Sequence, residues 1–491
     1  MKKNLLLLFF IAGCSYGIRA QLSVHYNPEV QSTENKQYWK PTGTDLFVGD
    51  CIPFYHDGTY YFYWLLDSAH HSALHGLGGH QWALSTTTDL KHWKNYPVVL
   101  GIDEEWEKSI CTGSVVFANN KFYAFYATRL INNEGKVNEQ LSYAVSNDGI
   151  HFVKQKPNPF YTSAPGYSQR NFRDPKVSVD SSNAFHLFVS SNSNTSQIKG
   201  LDGTLVHITS PDLKNWKVEK PIITGQPSTP ECPDYFYWNG WYYIVYSDNS
   251  NTFYLKSKLK YGPWEQPQSQ ALNEDWANVV KTAEFKNNRR IAAAWVPSRK
   301  NNNDNEHEIF GGNSIFRELI QLKDGTLNTK FPEEMIPQTS DHLQLNPVYD
   351  SLTSYNADGY LINTPDGVGA FHFDSLPSNC RITLEVEPLD NCEEYGLFLH
   401  SNSNGSTGYK LVLSPDNLTV GLGNTSIHAV EGLNRKIKLD IVMKDDIIDV
   451  CVDKRRCIVN RVPQFNGNDV WMYAKHGHVK FKSIEISKLL Q

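Results

Sequence analysis

Long apolar runs are scarce in this chain. Beyond the N-terminus no stretch approaches the ~18 consecutive apolar residues of a membrane-crossing helix, which argues against a helical transporter. Blocks of basic residues are missing as well. Lys and Arg total 46 against 52 Asp and Glu, for a formal net charge of −6, so nucleic acid is not expected as a partner. Neither a Cys-x-x-Cys nor a His-Glu-x-x-His spacing occurs; no metal site is expected, and no residue calls for a cofactor. Methionine occurs only four times. Eight cysteines in 491 residues are too few for a small disulfide-stapled module. Aromatic residues, in contrast, are plentiful: 12 Trp, 26 Tyr and 24 Phe. That bias favours strands over helices.

The N-terminus reads as an address. Lys2 and Lys3 precede an apolar run, Leu5 to Ile11, too short to span a bilayer. Ile11-Ala12-Gly13-Cys14 resembles a bacterial lipobox, which implies lipidation of Cys14; cleavage after Ala20, releasing a soluble protein, is the alternative. Residues 1–20 are thus expected to be an export segment. The protein is expected in a bacterial cell envelope or secreted, touching membrane only through a lipid on Cys14. In an oxidising space Cys380, Cys392, Cys451 and Cys457 could pair.

An internal repeat is the most informative feature. A short polar turn leads into an aromatic and β-branched run at His56-Asp57-Gly58-Thr59-Tyr60, Asn119-Asn120-Lys121-Phe122, Ser182-Asn183-Ala184-Phe185, Trp238-Asn239-Gly240-Trp241 and Asn287-Asn288-Arg289-Arg290. Each reads as the turn and second strand of a β-hairpin. Between the first four turns lies a second motif, Ser85-Thr86-Thr87-Thr88-Asp89-Leu90-Lys91-His92-Trp93, then Ser146-Asn147-Asp148-Gly149-Ile150-His151-Phe152 and Ser210-Pro211-Asp212-Leu213-Lys214-Asn215-Trp216. It is expected to form a turn in the outer part of each blade, its terminal aromatic packing between blades. The spacing suits four-stranded propeller blades. The expectation is an all-β chain, with a five-bladed β-propeller over residues 21–340 and an antiparallel β-sandwich over 345–491; an irregular sandwich is the alternative to the propeller. The sandwich is expected to pack against the propeller, with carbohydrate binding as its other possible role.

In a propeller the first strand of each blade lines the central axis. Asp50, Asp174 and Glu231 each fall shortly before a hairpin turn, in phase with the repeat, so all three are expected to face one funnel. Clustered acids are costly unless they have a task or a counterion. Two carboxylates flanking a glycosidic bond make a glycosidase, one attacking or activating water and the other protonating the leaving oxygen.

Arg173-Asp174-Pro175, Glu231-Cys232-Pro233-Asp234, Thr112-Gly113-Ser114 and the stretch from Trp295 through Phe310-Gly311-Gly312-Asn313-Ser314 to Arg317-Glu318-Leu319 resemble glycoside hydrolase family 32, the invertase, levanase and inulinase group. The resemblance covers nearly all the mature chain. It implies a retaining hydrolase of β-fructosides such as sucrose, inulin or levan. Asp50 would be the nucleophile, Glu231 the acid/base, and Asp174 the residue holding sugar hydroxyls. Arg173 would pair with an acid. Gln81, Trp82, Thr112, Ser114 and Trp295 would contact substrate, and Trp238 and Trp241 could stack on sugar. Two departures stand out. The family's usual W-M-N-D-P-N-G is here Phe47-Val48-Gly49-Asp50-Cys51-Ile52-Pro53, and the usual W-G-H region is a Gly-rich stretch carrying His70, His71, His75 and His80. That stretch is expected to be a rim loop touching sugar hydroxyls, with metal binding as its less favoured reading. Two other functions stay open: an inverting furanosidase like families 43 and 62, and a glycan-binding propeller without turnover. A carboxyl separation of about 5–5.5 Å would mark retention, and about 6.5–9.5 Å inversion.

Overall fold

Five aromatic-rich hairpins organise the first two thirds of the chain. Their turns use residues that tolerate left-handed backbone: Asp57 with Gly58, Asn119 with Asn120, Asn183, Asn239 with Gly240, and Asn287 with Asn288 all have positive φ. Tight hairpins demand this geometry, because it matches the twist of the flanking strands. The computed structural model describes residues 26–32, 35–72, 79–132, 134–344 and 346–490. The export segment with Cys14, and also His75, lie outside the described residues.

Each hairpin is the inner pair of a blade. Blade I comprises Leu46–His56, Thr59–Ser68, Gln81–Thr87 and Trp93–Leu100. Blade II is built from Ser109–Ala118, Lys121–Ile131, Val137–Ser146 and Val153–Lys154. Blade III begins with Tyr167–Val179 and Phe185–Ser193, blade IV with Glu231–Trp238 and Trp241–Asp248, and blade V with Asn278–Phe285 and Arg289–Arg299. The strands within each blade are antiparallel neighbours. Pairing of Val48 with Gly312 joins blade I to blade V and closes the ring. The chain is a five-bladed β-propeller followed by a β-sandwich. Among the described residues the only helices are 3-10 turns.

The outer turns recur as the sequence implied. Asp89 accepts the backbone N–H groups of Lys91 and His92, Asp148 those of Ile150 and His151, and Asp212 those of Lys214 and Asn215. The aromatic that ends each motif packs on the preceding blade. Trp93 meets Phe316 of blade V, Phe152 meets Tyr63 of blade I, and Trp216 meets Phe125 of blade II. One short motif therefore both turns the chain and seals a blade interface.

In the C-terminal region the long strand Asp469–Leu489 ties the sheet together. It pairs with Glu394–Ser401, Gly359–Phe373 and Cys380–Pro388. Alternating side chains of these strands bury a core that includes Phe371, Leu384, Leu397 and Phe481. A second core is shared with the propeller, where Phe236, Tyr243 and Ile315 cluster with Val442, Ile447 and Val459. Within this contact Arg317 forms double hydrogen bonds to both Glu274 and Asp449, and Tyr38 also donates to Asp449. Cys380, Cys392, Cys451 and Cys457, which could pair in an oxidising space, are all free and buried. Cys392 donates instead to the carbonyls of Glu394 and Lys475, and Cys457 to that of Thr329.

Candidate active site

The first strand of every blade loses register at a corresponding point; that of blade III also shifts earlier, between Tyr167 and Phe172. The breaks lie between Val48 and Cys51, Ile110 and Gly113, Arg173 and Lys176, Glu231 and Asp234, and Asn278 and Lys281. A bulge unpairs a residue and re-aims its neighbours. Asp174, Cys232 and Val279 sit in these bulges with φ of 53°, 50° and 56°. Asp50 and Thr112 occupy the bulges of blades I and II, while Arg173 and Glu231 immediately precede those of blades III and IV. Five bulges thus turn a ring of side chains toward one another at the funnel end.

Asp50 is held on both oxygens. Trp295 Nε1 donates to Oδ1 at 3.1 Å, and Thr112 Oγ1 donates to Oδ2. Cys232 Sγ lies between two acids, 3.6 Å from Asp50 Oδ2 and 3.5 Å from Asp174 Oδ2. The Cys232 backbone N–H also donates to Asp174 Oδ2 at 3.1 Å. Burial pushes the Asp174 carboxyl from its usual range up to about 7; Arg173 opposes that rise, while Glu139, Glu231 and Asp50 add to it. Burial, with Asp174 and Asp50 alongside, likewise raises the Cys232 thiol, so it is a neutral donor rather than a nucleophile. Glu231 is the accessible member: its side chain is 41% exposed, against 5% for Asp174.

Arg173 binds the acids together. Its Nη2 donates to Glu231 Oε1 at 2.7 Å, its Nε lies 3.5 Å from Asp174 Oδ2, and its Nη1 donates to Asn171 Oδ1 at 2.8 Å. Beneath the acids lies a basic layer. Lys176 pairs with Asp234 at 2.6 Å, and the buried Lys281 donates to the Gly113 carbonyl at 2.6 Å. Burial opposes ionisation of Asp234, yet Lys176 and Arg290 hold it down at about 2.

The remaining expected contacts divide. Thr112 and Trp295 reach the site, where they hold Asp50. Three others do not face the funnel. Trp82 is fully buried and donates its indole N–H to the Cys111 carbonyl, so it is core rather than a sugar platform. Gln81 is also buried, its Oε1 accepting the Ile102 N–H. Ser114 clasps blade II to blade III, donating to the Pro175 carbonyl and accepting the Val177 N–H. Trp238 is buried, with its N–H on the Asn288 carbonyl, and Trp241 lies under Lys258.

His70, His71 and His80 gather at one corner, around Asp67 and Phe310. Asp67 Oδ1 accepts the His71 backbone N–H at 2.8 Å and lies 3.0 Å from His80 Nε2. His70 Nδ1 lies 3.0 Å from the Phe310 carbonyl oxygen. Asp67, His71 and His80 bring ligand-type atoms within 4.8 Å of one another. However, Arg129 Nη1 donates to His71 Nε2 at 3.0 Å; this places the neutral ring's proton on Nδ1, so this set is a hydrogen-bonded corner rather than three converging lone pairs.

Residues missed in the sequence include Phe310, Cys232, Arg129 and Glu139. Phe310 explains Gly49: a Cβ there would lie 2.8 Å from the Phe310 ring. The ring also packs on Trp295 and His80, with centroids 4.8 and 4.9 Å apart. Gly49 in the place of a larger residue was the available signal; nothing in the sequence pointed to Glu139.

The sequence matches the profile of the glycosyl hydrolases family 32 N-terminal domain over residues 52–330. Asp174 and Glu231 fall inside that stretch, and Asp50 just before it. The chain is 22% identical over 411 residues to a sucrose-6-phosphate hydrolase of Zymomonas mobilis, covering 76% of each protein. Its fold is similar to that of the exo-inulinase from Aspergillus awamori, with a TM-score of 0.70 at 15% identity over 94% of this chain and 99% of the other. It also resembles fructan 1-exohydrolase IIa from Cichorium intybus, with a TM-score of 0.65 at 16% identity over 94% and 99%.

Proposed function

The chain belongs to glycosyl hydrolase family 32, and on that premise we propose that it is an exported, retaining hydrolase removing terminal β-fructofuranosyl units from fructans or sucrose-type saccharides. Asp50 attacks the anomeric carbon, Glu231 protonates the leaving oxygen and then activates water, and Asp174 holds sugar hydroxyls. The observation that carries this reading is the meeting of three carboxylates from blades I, III and IV, linked by Arg173 and Cys232. Asp50 is suited to attack because Trp295 and Thr112 fix both its oxygens, so little reorganisation precedes the reaction. Glu231 is suited to proton transfer because it alone of the three opens to solvent, where a leaving group departs and water enters. The substrate class draws on relatives named for sucrose-6-phosphate, levan and inulin hydrolysis.

The test is incubation with sucrose, sucrose-6-phosphate, inulin, levan and an arabinan, followed by identification of the released monosaccharide and its first-formed anomer. Fructose released with retained configuration is expected. Release of arabinose alone, or an inverted product, would overturn the proposal. Export is checked separately. Cys14→Ala should move the protein from the membrane fraction to the soluble one; if the wild type stays in the cytoplasm, the address reading fails.

A further inference from the structure

Arg173 is shared by one more carboxylate than the reaction uses. Besides Glu231 and Asp174 it faces Glu139, whose Oε2 lies 3.4 Å from Arg173 Nη1. Glu139 stands on the third strand of blade II, away from the axial strands, and is only 7% exposed. Directly opposite it in register is Arg129, whose Nε and Nη2 donate to Glu139 Oε1 at 3.3 and 3.0 Å. Arg129 is itself anchored, through Nη1, on His71 of blade I. Each Glu139 oxygen is therefore committed to a different guanidinium, and the chain His71–Arg129–Glu139–Arg173–Glu231 crosses four blades along the rim.

Resting on the function proposed above, we propose that Glu139 is a positioning residue for the glycosidic reaction: anchored by Arg129, it holds the Arg173 guanidinium between Asp174 and Glu231 and takes up part of its charge. Arg173 reaches Glu231 at 2.7 Å and Asp174 at 3.5 Å, and serves both only while it is not drawn wholly onto one of them. A buried carboxylate on the far side of Arg173 offsets that pull and restrains the side chain. The acids and the arginine hold one another in opposite senses. Burial works against the charge of Arg173, yet Glu139, Asp174 and Glu231 together keep it above its ordinary range.

The experiment replaces Glu139 by Gln, which keeps the shape and removes the charge. Asp174 is faced by Arg173 on its own strand, Asp50 from blade I, Glu139 from blade II, Glu231 and Cys232 from blade IV and Lys281 from blade V. Loss of one negative neighbour lets the remaining acids give up protons at lower pH. In Glu139→Gln kcat should fall ~10-fold or more with KM within about threefold, and the basic limb of the pH–rate profile should move to lower pH. Glu139→Asp keeps the charge but withdraws it, so kcat should fall while the limb stays put. A second readout needs no substrate: the Asp174 carboxyl, followed by 13C NMR in labelled protein, should titrate at lower pH in Glu139→Gln. Unchanged kcat, limb and Asp174 titration, with only the melting temperature moved, would overturn the proposal and leave Glu139 a packing residue. If Glu139→Gln fails to fold, the retained limb and lowered kcat of Glu139→Asp decide, and equal kcat there overturns the idea. If the wild type cleaves a glycoside other than a fructoside, the substrate reading fails alone, and the Glu139 measurements proceed on that glycoside.

Discussion

At the scale of single residues, the three acids should respond differently to the same kind of change. Asp50→Asn removes the attacking charge while keeping the Trp295 and Thr112 contacts within reach, so kcat should fall by several orders of magnitude with the fold intact; near-native turnover would remove Asp50 from the nucleophile's role. Glu231→Ala should be severely impaired on a natural glycoside but much less so in glycosylation from a substrate whose leaving group departs without a proton. Added azide should then yield a glycosyl azide of the starting configuration, read by NMR; an equal loss on both substrates would sink the acid/base assignment. Asp174 makes a prediction about stability. Its carboxyl is raised to about 7 in the fold, chiefly by burial, from about 3.8 unfolded. The folded state therefore binds the proton more tightly, and stability falls as pH rises between those values, by ~1.4 kcal/mol per unit. Asp174→Asn, which loses activity, should melt higher than the wild type at pH 8, and this gap should close as pH falls toward 4. A gap independent of pH would show that Asp174 is not the strained acid.

At the scale of elements, the five bulged first strands are the working parts, and their backbones leave little room. A Cβ at Gly113 would lie 1.9 Å from the Phe125 carbonyl oxygen across the blade II hairpin. Gly113→Ala should therefore prise apart the strand pair that carries Thr112, costing ~1–3 kcal/mol or more and loosening the hold on Asp50. Calorimetry should show a lowered melting temperature, and kinetics a lower kcat. An unchanged protein would mean that the strand pair yields without cost. The hairpins themselves were legible, because turns built on Asp, Asn and Gly beside aromatic runs carry their backbone requirement in the residue type. The bulges were not. Asp174 and Cys232 adopt left-handed backbone that nothing local in Arg-Asp-Pro or Glu-Cys-Pro requires, and it is these bulges that bring acids at unequal sequence offsets to one place. Trp82, Gln81 and Ser114 were misplaced for a related reason. Suitable chemistry near the site does not make a side chain face it: Trp82 and Ser114 bind the backbone of the next blade, and Gln81 binds the connection that leads there.

At the scale of the whole molecule, Arg317 locks propeller to sandwich. It is buried between Glu274 and Asp449, and burial pushes Asp449 up to about 6 even with Arg317 present, Glu274 adding to the rise. Arg317→Met would leave two buried carboxylates without their counterion, a loss of ~3–5 kcal/mol at neutral pH. Because Asp449 would then be raised further, stability should be partly regained as pH falls and lost as it rises. Melting measured from pH 5 to 8 checks this; a pH-independent loss would point to packing alone.

The sequence by itself determined the class of strand, the number of hairpins and hence of blades, the phase in which the acids recur, and the family. Each of these rests on local chemistry: turn residues, alternation and short motifs. Only the tertiary structure decided which side chains share the funnel. That Cys232 stands between Asp50 and Asp174, that Phe310 fills the space beside Gly49, and that Glu139 reaches Arg173 are outcomes of ring closure and bulge geometry. Such contacts join residues tens to hundreds of positions apart, and a pattern read within one strand holds no information about its neighbour across the axis.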